Sequence, residues 1–243
     1  ITFHNLKVLT KAELTGENLD HLFIADGRYS IETIKSAIRT RVSTEIADEL
    51  MQAILEVLDY FQESSIFQAI DIIYDRSFLT YQKRLAEKLG YKDIIDEVTA
   101  FIDLTNISTM ARGIIQGQHE NFLLTVLSSS GSIPKSDFLA YSEQSLAAFT
   151  EFVLNTSLGG ILAPIVSSET KELDLIAFEK VKDDYLTGLY DKAKIMAFGP
   201  LPLLAFLNAK EVEWKNLRLI LVSKRSNFSA DVVRERMRAV DGL

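Results

Sequence analysis

The chain has 243 residues, 47% of them hydrophobic, enough to bury a substantial core as one large domain or two or three small units. Its net charge of −8 argues against general nucleic-acid binding, and the lack of cysteine excludes disulfides and thiolate metal sites while remaining compatible with a reducing compartment. The longest uncharged run, Phe152 to Ser168, is 17 residues with Gly159, Gly160 and Pro164 inside it, short of the roughly 20 apolar residues a membrane span needs.

Only four prolines and eleven glycines punctuate the chain, and the stretches between them have helical periodicity. The first helix runs through Phe3-His4-Asn5-Leu6-Lys7 to a stop at Gly16. A second segment, Val42 to Phe61, places Ile46, Leu50, Ala53, Ile54, Val57, Leu58 and Phe61 on one stripe. Ser43-Thr44 is its expected N-cap and Gln62 to Ser65 its break. Helices are then expected over Ile66 to Leu89, ended by Gly90, over Tyr91 to the stop at Gly117, and over Asn121 to Leu127. The run Ser128-Ser129-Ser130-Gly131-Ser132-Ile133-Pro134 is punctuation. Beyond it come a helix from about Ser142 to Leu158, stopped by Gly159-Gly160, and a long one from Glu169 to Phe198, stopped by Gly199-Pro200. Leu203 to about Lys224 forms the last long helix. Ser229 caps a final one through Arg238, with Asp231 placed to favour its dipole. No stretch alternates for long enough to be a sheet strand, and the chain reads as all-α.

One helical phrase occurs three times, centred on Asn5, Asn106 and Asn216, which are 101 and 110 residues apart. Four residues before each asparagine stand Ile1, Ile102 and Val212, and one after stand Leu6, Ile107 and Leu217. Seven after, the residue is small: Ala12, Gly113 and Ser223. Eleven after come Gly16, Gly117 and Asn227, types that tolerate the left-handed conformation ending a helix. Long helices precede the second and third copies. The first copy has none upstream, and the chain begins with Ile rather than Met. The parent protein is therefore expected to carry about 100 more residues at its N-terminus. An asparagine on an apolar stripe is expected to be buried and hydrogen-bonded to a neighbouring helix end; the alternative is that the three asparagines face a partner.

Charge is uneven. From Lys210 to Arg238 there are eight basic and four acidic residues, a net of +4 that leaves −12 on the remainder. Helical ion pairs such as Glu211–Lys215 on a solvated face are the plain reading; a dock for an acidic partner is the sharper one. Chemistry-bearing patterns are lacking. There is no phosphate-cradling P-loop, and His119-Glu120 is not followed by a second histidine at metalloprotease spacing. No catalytic, cofactor or metal residues are assigned, and no small-molecule substrate is expected.

The stretch from Phe198-Gly199-Pro200 through Ala209-Lys210-Glu211-Val212-Glu213-Trp214-Lys215-Asn216-Leu217-Arg218 to Arg238 resembles the C-terminal signature of the C subunit of V-type (archaeal-type) ATP synthases, the counterpart of the d subunit of the eukaryotic V-ATPase. Phe101 to Ile107 and Phe3 to Lys7 resemble that family's two earlier copies. The family usually has Glu-Pro-Leu where Leu201-Pro202-Leu203 stands. The resemblance implies a pseudo-threefold set of helical units forming a funnel, with the first unit incomplete: 1–41 as its remnant, 42–131 as the second and 132–243 as the third. It implies a non-catalytic rotor subunit, peripheral at the cytoplasmic face of a membrane. Its partners would be the membrane rotor ring and the central-axle subunits D and F, coupling ion transport to ATP synthesis or hydrolysis. Candidate docking residues are Lys7, Arg218, Arg234, Arg236 and Arg238. A generic all-α repeat scaffold is the alternative, although such repeats usually have periods of roughly 20–50 residues.

Overall fold

The computed structural model describes residues 1–239, the Ser64 side chain excepted. In chain order its α-helices are α1 (Thr2–Thr15), α2 (Ile31–Thr40), α3 (Asp48–Ser64), α4 (Gln68–Leu89), α5 (Lys92–Ile115), α6 (Glu120–Val126), α7 (Lys135–Leu139), α8 (Leu146–Leu154), α9 (Gly159–Leu162), α10 (Leu175–Leu189), α11 (Pro200–Arg225) and α12 (Ala230–Arg236). Among the described residues the only β pairing is an isolated antiparallel bridge, Val166 to Leu173. The architecture is all-α. Two compact units are present: one of residues 1–88 with 121–130, the other of residues 89–120 with 131 onward.

The first unit is built around α1 to α4. Ser30 opens α2 by accepting the Thr33 N–H, and Arg39 in its last turn donates two hydrogen bonds to Glu13 of α1 at 2.7 Å each. The helix expected from Val42 begins only at Asp48. The Ser43 hydroxyl accepts the N–H groups of Glu45 and Ile46, a local turn that competes with helix at Ser and Thr. Asp48 and Glu49 then occupy the first turn of α3, where the helix dipole favours negative charge. The predicted stripe is real: Ile46, Leu50, Ala53, Ile54 and Val57 are all 3% exposed or less. They share one core with Leu6 and Leu9 of α1 and Ile70, Ile73 and Tyr74 of α4. Burying each such large side chain contributes about 1.5–3 kcal/mol. Inside that core Thr10 and Tyr74 exchange a hydroxyl hydrogen bond of 2.8 Å.

The second unit centres on α5, whose Ile102, Leu104, Ile107, Met110 and Ala111 are fully buried. Three sequence expectations change in this unit. A short α7 interrupts the stretch expected to be loop, and α8 starts at Leu146 because Ser145 accepts the Ala148 N–H. Gly159-Gly160 opens α9 instead of closing a helix; a Cβ at Gly159 would lie 2.0 Å from the Leu154 carbonyl oxygen, so only glycine admits that approach. The long helix expected over Glu169 to Phe198 is confined to α10. Residues 168–170 form a turn with Lys171 left-handed at φ +61°, Thr150 accepts the Leu173 N–H, Asp174 caps the helix through the Ile176 and Ala177 N–H groups, and a 3-10 turn, Asp191–Ile195, follows Leu189. Gly199 at φ +102° and Pro200 in the first turn start α11, and Ser229 caps α12 through the Val232 N–H.

Candidate docking surface

The repeated phrase has a repeated local geometry. Asn5 is 1% exposed, and its amide brackets the backbone of Ile24: Nδ2 donates to the carbonyl at 2.9 Å, and Oδ1 accepts the N–H at 3.0 Å. Asn216, 4% exposed, does the same to Arg238, donating to its carbonyl at 3.0 Å and accepting its N–H at 2.9 Å. One carboxamide thus pairs both polar groups of a peptide segment that belongs to no helix, which answers the backbone's need for partners on burial. Asn106 is buried to the same degree. The three stop residues share a backbone state: φ is +72° at Gly16, +62° at Gly117 and +56° at Asn227. Behind the last two, the following N–H reaches back to the small residue's carbonyl, Gln118 to Gly113 at 2.9 Å and Phe228 to Ser223 at 3.0 Å. This is the six-to-one bond of a helix-ending Schellman motif.

The five docking candidates divide. Arg238 is held twice, by Asn216 at its backbone and by Asp183 at its guanidinium, 2.8 Å away with both side chains at least four-fifths covered. Lys7 is half-buried and paired with Asp75 of α4. Arg234 pairs one turn back with Asp231 on an exposed face, and Arg236 and Arg218 are exposed. The Glu211–Lys215 pair named from sequence is present at 3.0 Å, and Lys215 also reaches Asp183 at 3.0 Å.

Sequence reasoning singled out none of three further groups. Asp103 is 3% exposed and accepts from Ser132 N at 2.9 Å, Ser132 Oγ at 2.6 Å and Ile133 N at 3.2 Å. Gly131 makes this wrap possible, since a Cβ there would stand 2.1 Å from Asp103 Oδ1. The signal was the Ser-Gly-Ser punctuation, which needs a buried acceptor as much as a bend. Lys182 of α10 lies 4.7 Å from the Phe101 ring centroid and donates to Thr105 Oγ1 at 3.0 Å. Burial lowers its pKa, with Glu179 and Asp183 pulling the other way. Glu97 of α5 is pushed up to about 7, first by burial and then by the Glu211 carboxylate, while a hydrogen bond with Tyr190 acts against the rise. These are polar contacts that tie α5 to the segments packed against it. Among the described residues no three His, Cys, Asp or Glu side chains are grouped to hold a metal ion, and no helix is long and apolar enough to cross a membrane.

Apolar side chains are the conspicuous surface. Along α11, Leu203, Leu207, Trp214, Leu217 and Leu221 are between 44% and 71% exposed, and contiguous apolar surface of this kind marks interaction sites. Such a surface can bind and brace another body.

The family model described as ATP synthase (C/AC39) subunit matches residues 1–236. The chain belongs to that family. It is 56% identical over 242 residues to the C subunit of the V-type sodium ATPase of Enterococcus hirae, an alignment that covers all of this chain and 73% of that protein. It is 24% identical to the C subunit of the A-type ATP synthase of Methanocaldococcus jannaschii and 23% to that of Halorubrum lacusprofundi. Those alignments cover 95% and 85% of this chain but only 61% and 58% of the archaeal proteins. As the C subunit of a V/A-type ATPase, the chain is a non-catalytic rotor or stalk component of that membrane complex.

Proposed function

We propose that this protein couples a membrane rotor ring to a central axle. Three related helical units, each carrying one asparagine phrase, make a funnel that sits on the ring at the cytoplasmic face and receives axle subunits D and F in its mouth. The observation that carries this reading is the family match over residues 1–236, joined to the asparagine bracket and left-handed stop that recur along the chain. A bracketed peptide at the end of a unit ties that unit's tail to its central helix, so that torque applied to one is borne by the other. Within the basic Lys210 to Arg238 stretch, Arg234 and Arg236 supply the accessible charge for an acidic axle surface. Lys7, Arg218 and Arg238 belong to the same candidate set, with Lys7 and Arg238 contributing through the units they brace.

The test is affinity capture of the full-length tagged subunit from detergent-solubilised membranes. Ring and axle subunits should both be recovered. Recovery of neither would refute the adaptor role; recovery of the axle alone would confine the protein to the stalk.

A further inference from the structure

Three elements of the second unit meet beside the second turn of α5, and each brings a proton-binding side chain there. On α5, Asp93 and Glu97 stand one turn apart on the same face. The chain leaving α10 crosses that face: Lys192 of the 3-10 turn pairs with Asp93 at 2.7 Å, and Tyr190, the residue that closes α10, hydrogen-bonds the Glu97 carboxyl. α11 lies along α10. Its Asn208 donates to Thr187 Oγ1 at 3.1 Å and its Lys215 donates to Asp183 at 3.0 Å. Glu211 lies between these two contacts on the same face of α11, within reach of the charge on Glu97.

The bases around this junction have other acids to serve. Lys215 reaches Glu211 at 3.0 Å but is shared with Asp183, which also holds Arg238; Lys192 is with Asp93, and Lys194 is 2.8 Å from Asp191. The Tyr190 hydroxyl that reaches Glu97 is a neutral donor. Burial first, and then the Glu211 charge, keep a proton on Glu97 up to about pH 7, and burial and Glu97 in turn push Tyr190 up. Beyond the buried Leu201, the N-terminal half of α11 is loosely seated. A cleft of about 250 Å³, lined by Tyr190, Ala193, Pro202, Ala205 and Phe206, separates it from the end of α10, and Leu203, Phe206 and Leu207 are 53–62% exposed.

We propose that Glu97, Tyr190 and Glu211 form a proton-operated joint that sets how firmly the N-terminal half of α11 is held against α5 and the end of α10. With a proton on Glu97, its carboxyl can donate to Glu211 while accepting from the Tyr190 hydroxyl, so that one side chain joins all three elements. When the proton leaves, a half-buried carboxylate faces a second carboxylate, and it gains if α11 moves off and admits water. Because the folded value of Glu97 lies above its unfolded one, the hold is complete in mild acid and is lost as pH rises through about 7. The exposed Leu203, Phe206 and Leu207 ride on the part that moves, so the joint makes this stretch of the apolar surface responsive to pH. It is a property of the second unit by itself and stands or falls apart from the coupling reading above.

Hydrogen exchange of the purified full-length subunit at about pH 6 and about pH 8, read as protection factors so that the chemical rate cancels, tests the joint. Amides of residues 203–209 should lose about threefold to tenfold of their protection between the two, the limit one proton sets over that range, while the middle of α5 around Ile107 keeps its own. Glu97→Gln carries an amide that does not titrate and should show no such loss. Glu211→Gln removes the facing charge and should move the midpoint of the loss, and of the carbon-13 titration of the Glu97 carboxyl, to lower pH; it also serves should Glu97→Gln fold poorly. Histidine ordinarily titrates in this range, and His119 follows the far end of α5, so His119→Gln should leave the loss in place. Equal protection of residues 203–209 at both pH values would overturn the proposal. So would a loss that persists in Glu97→Gln, a midpoint unmoved in Glu211→Gln, or a loss abolished by His119→Gln.

Discussion

Replacing Asn5 by Leu keeps the branching of the side chain and removes both arms of the bracket on Ile24. Asn5 is 1% exposed and its two hydrogen bonds measure 2.9 and 3.0 Å, so the variant strands one N–H and one carbonyl. Each buried polar group left unpaired costs about 1–3 kcal/mol. Ile24 itself is 39% exposed, so water can reach part of the freed segment, and the lower half of the range applies: about 2–4 kcal/mol for the pair. The loss is local, because residues 20–30 can leave α1 while the Leu6, Leu9 and Tyr74 core remains. Native-state hydrogen exchange reads it directly. The Ile24 amide should exchange about thirtyfold faster or more, at 1.4 kcal/mol per decade, with protection in the middle of α4 unchanged. Unaltered exchange at Ile24 would show that the bracket does not hold the loop, and would remove the physical reason for an asparagine in that column.

Three further outcomes follow from the same geometry. Glu97 is pushed up to about 7 in the folded protein, so its contribution is fully present below the ordinary carboxylate value and is lost as pH rises through about 7. Stability of the wild type should therefore fall between about pH 4.5 and 7 by no more than about 3 kcal/mol, less for partial solvent access, and Glu97→Gln should flatten that fall in urea melts taken across the range. Arg238→Gln breaks a largely covered contact with Asp183 and should destabilise the second unit by about 1–3 kcal/mol, seen as earlier proteolysis near α12; an unchanged cleavage rate would contradict it. Arg234→Gln with Arg236→Gln leaves that contact intact and should speed dissociation of the axle pair, with a reduced dependence on salt because exposed charges are screened over about 8 Å at physiological ionic strength; equal rates and equal salt dependence would remove the electrostatic dock.

Much of the fold was legible because helix periodicity and helix stops are local. The Ile46 to Leu58 stripe, the stops at Gly16, Gly90 and Gly117 and the Ser229 cap all follow from residues within one or two turns. The misplaced boundaries have a common cause. At Ser43, Thr150 and Asp174 a side-chain oxygen takes backbone N–H groups from a continuing helix, and polar residues in an apolar-periodic window do not announce which backbone they will choose. Gly159 was read as a stop through its conformational freedom, but its role is close approach to Leu154, a fact about space that sequence does not contain. The asparagines were legible as buried and bonded; their partners, 19 and 22 residues further on, were not, since nothing about Ile24 or Arg238 as side chains marks their peptides for capture.

The central claim is that this subunit transmits rotation without performing chemistry. Its most direct measurement is coupling in a reconstituted ATPase assembled with and without the full-length subunit, with ATP hydrolysis and ion uptake into vesicles followed together. Without the subunit, the catalytic head should still hydrolyse ATP while uptake falls to the leak rate, and adding the subunit back should restore uptake. Ion uptake that persists without it, or a catalytic head that cannot hydrolyse ATP until it is supplied, would contradict the account.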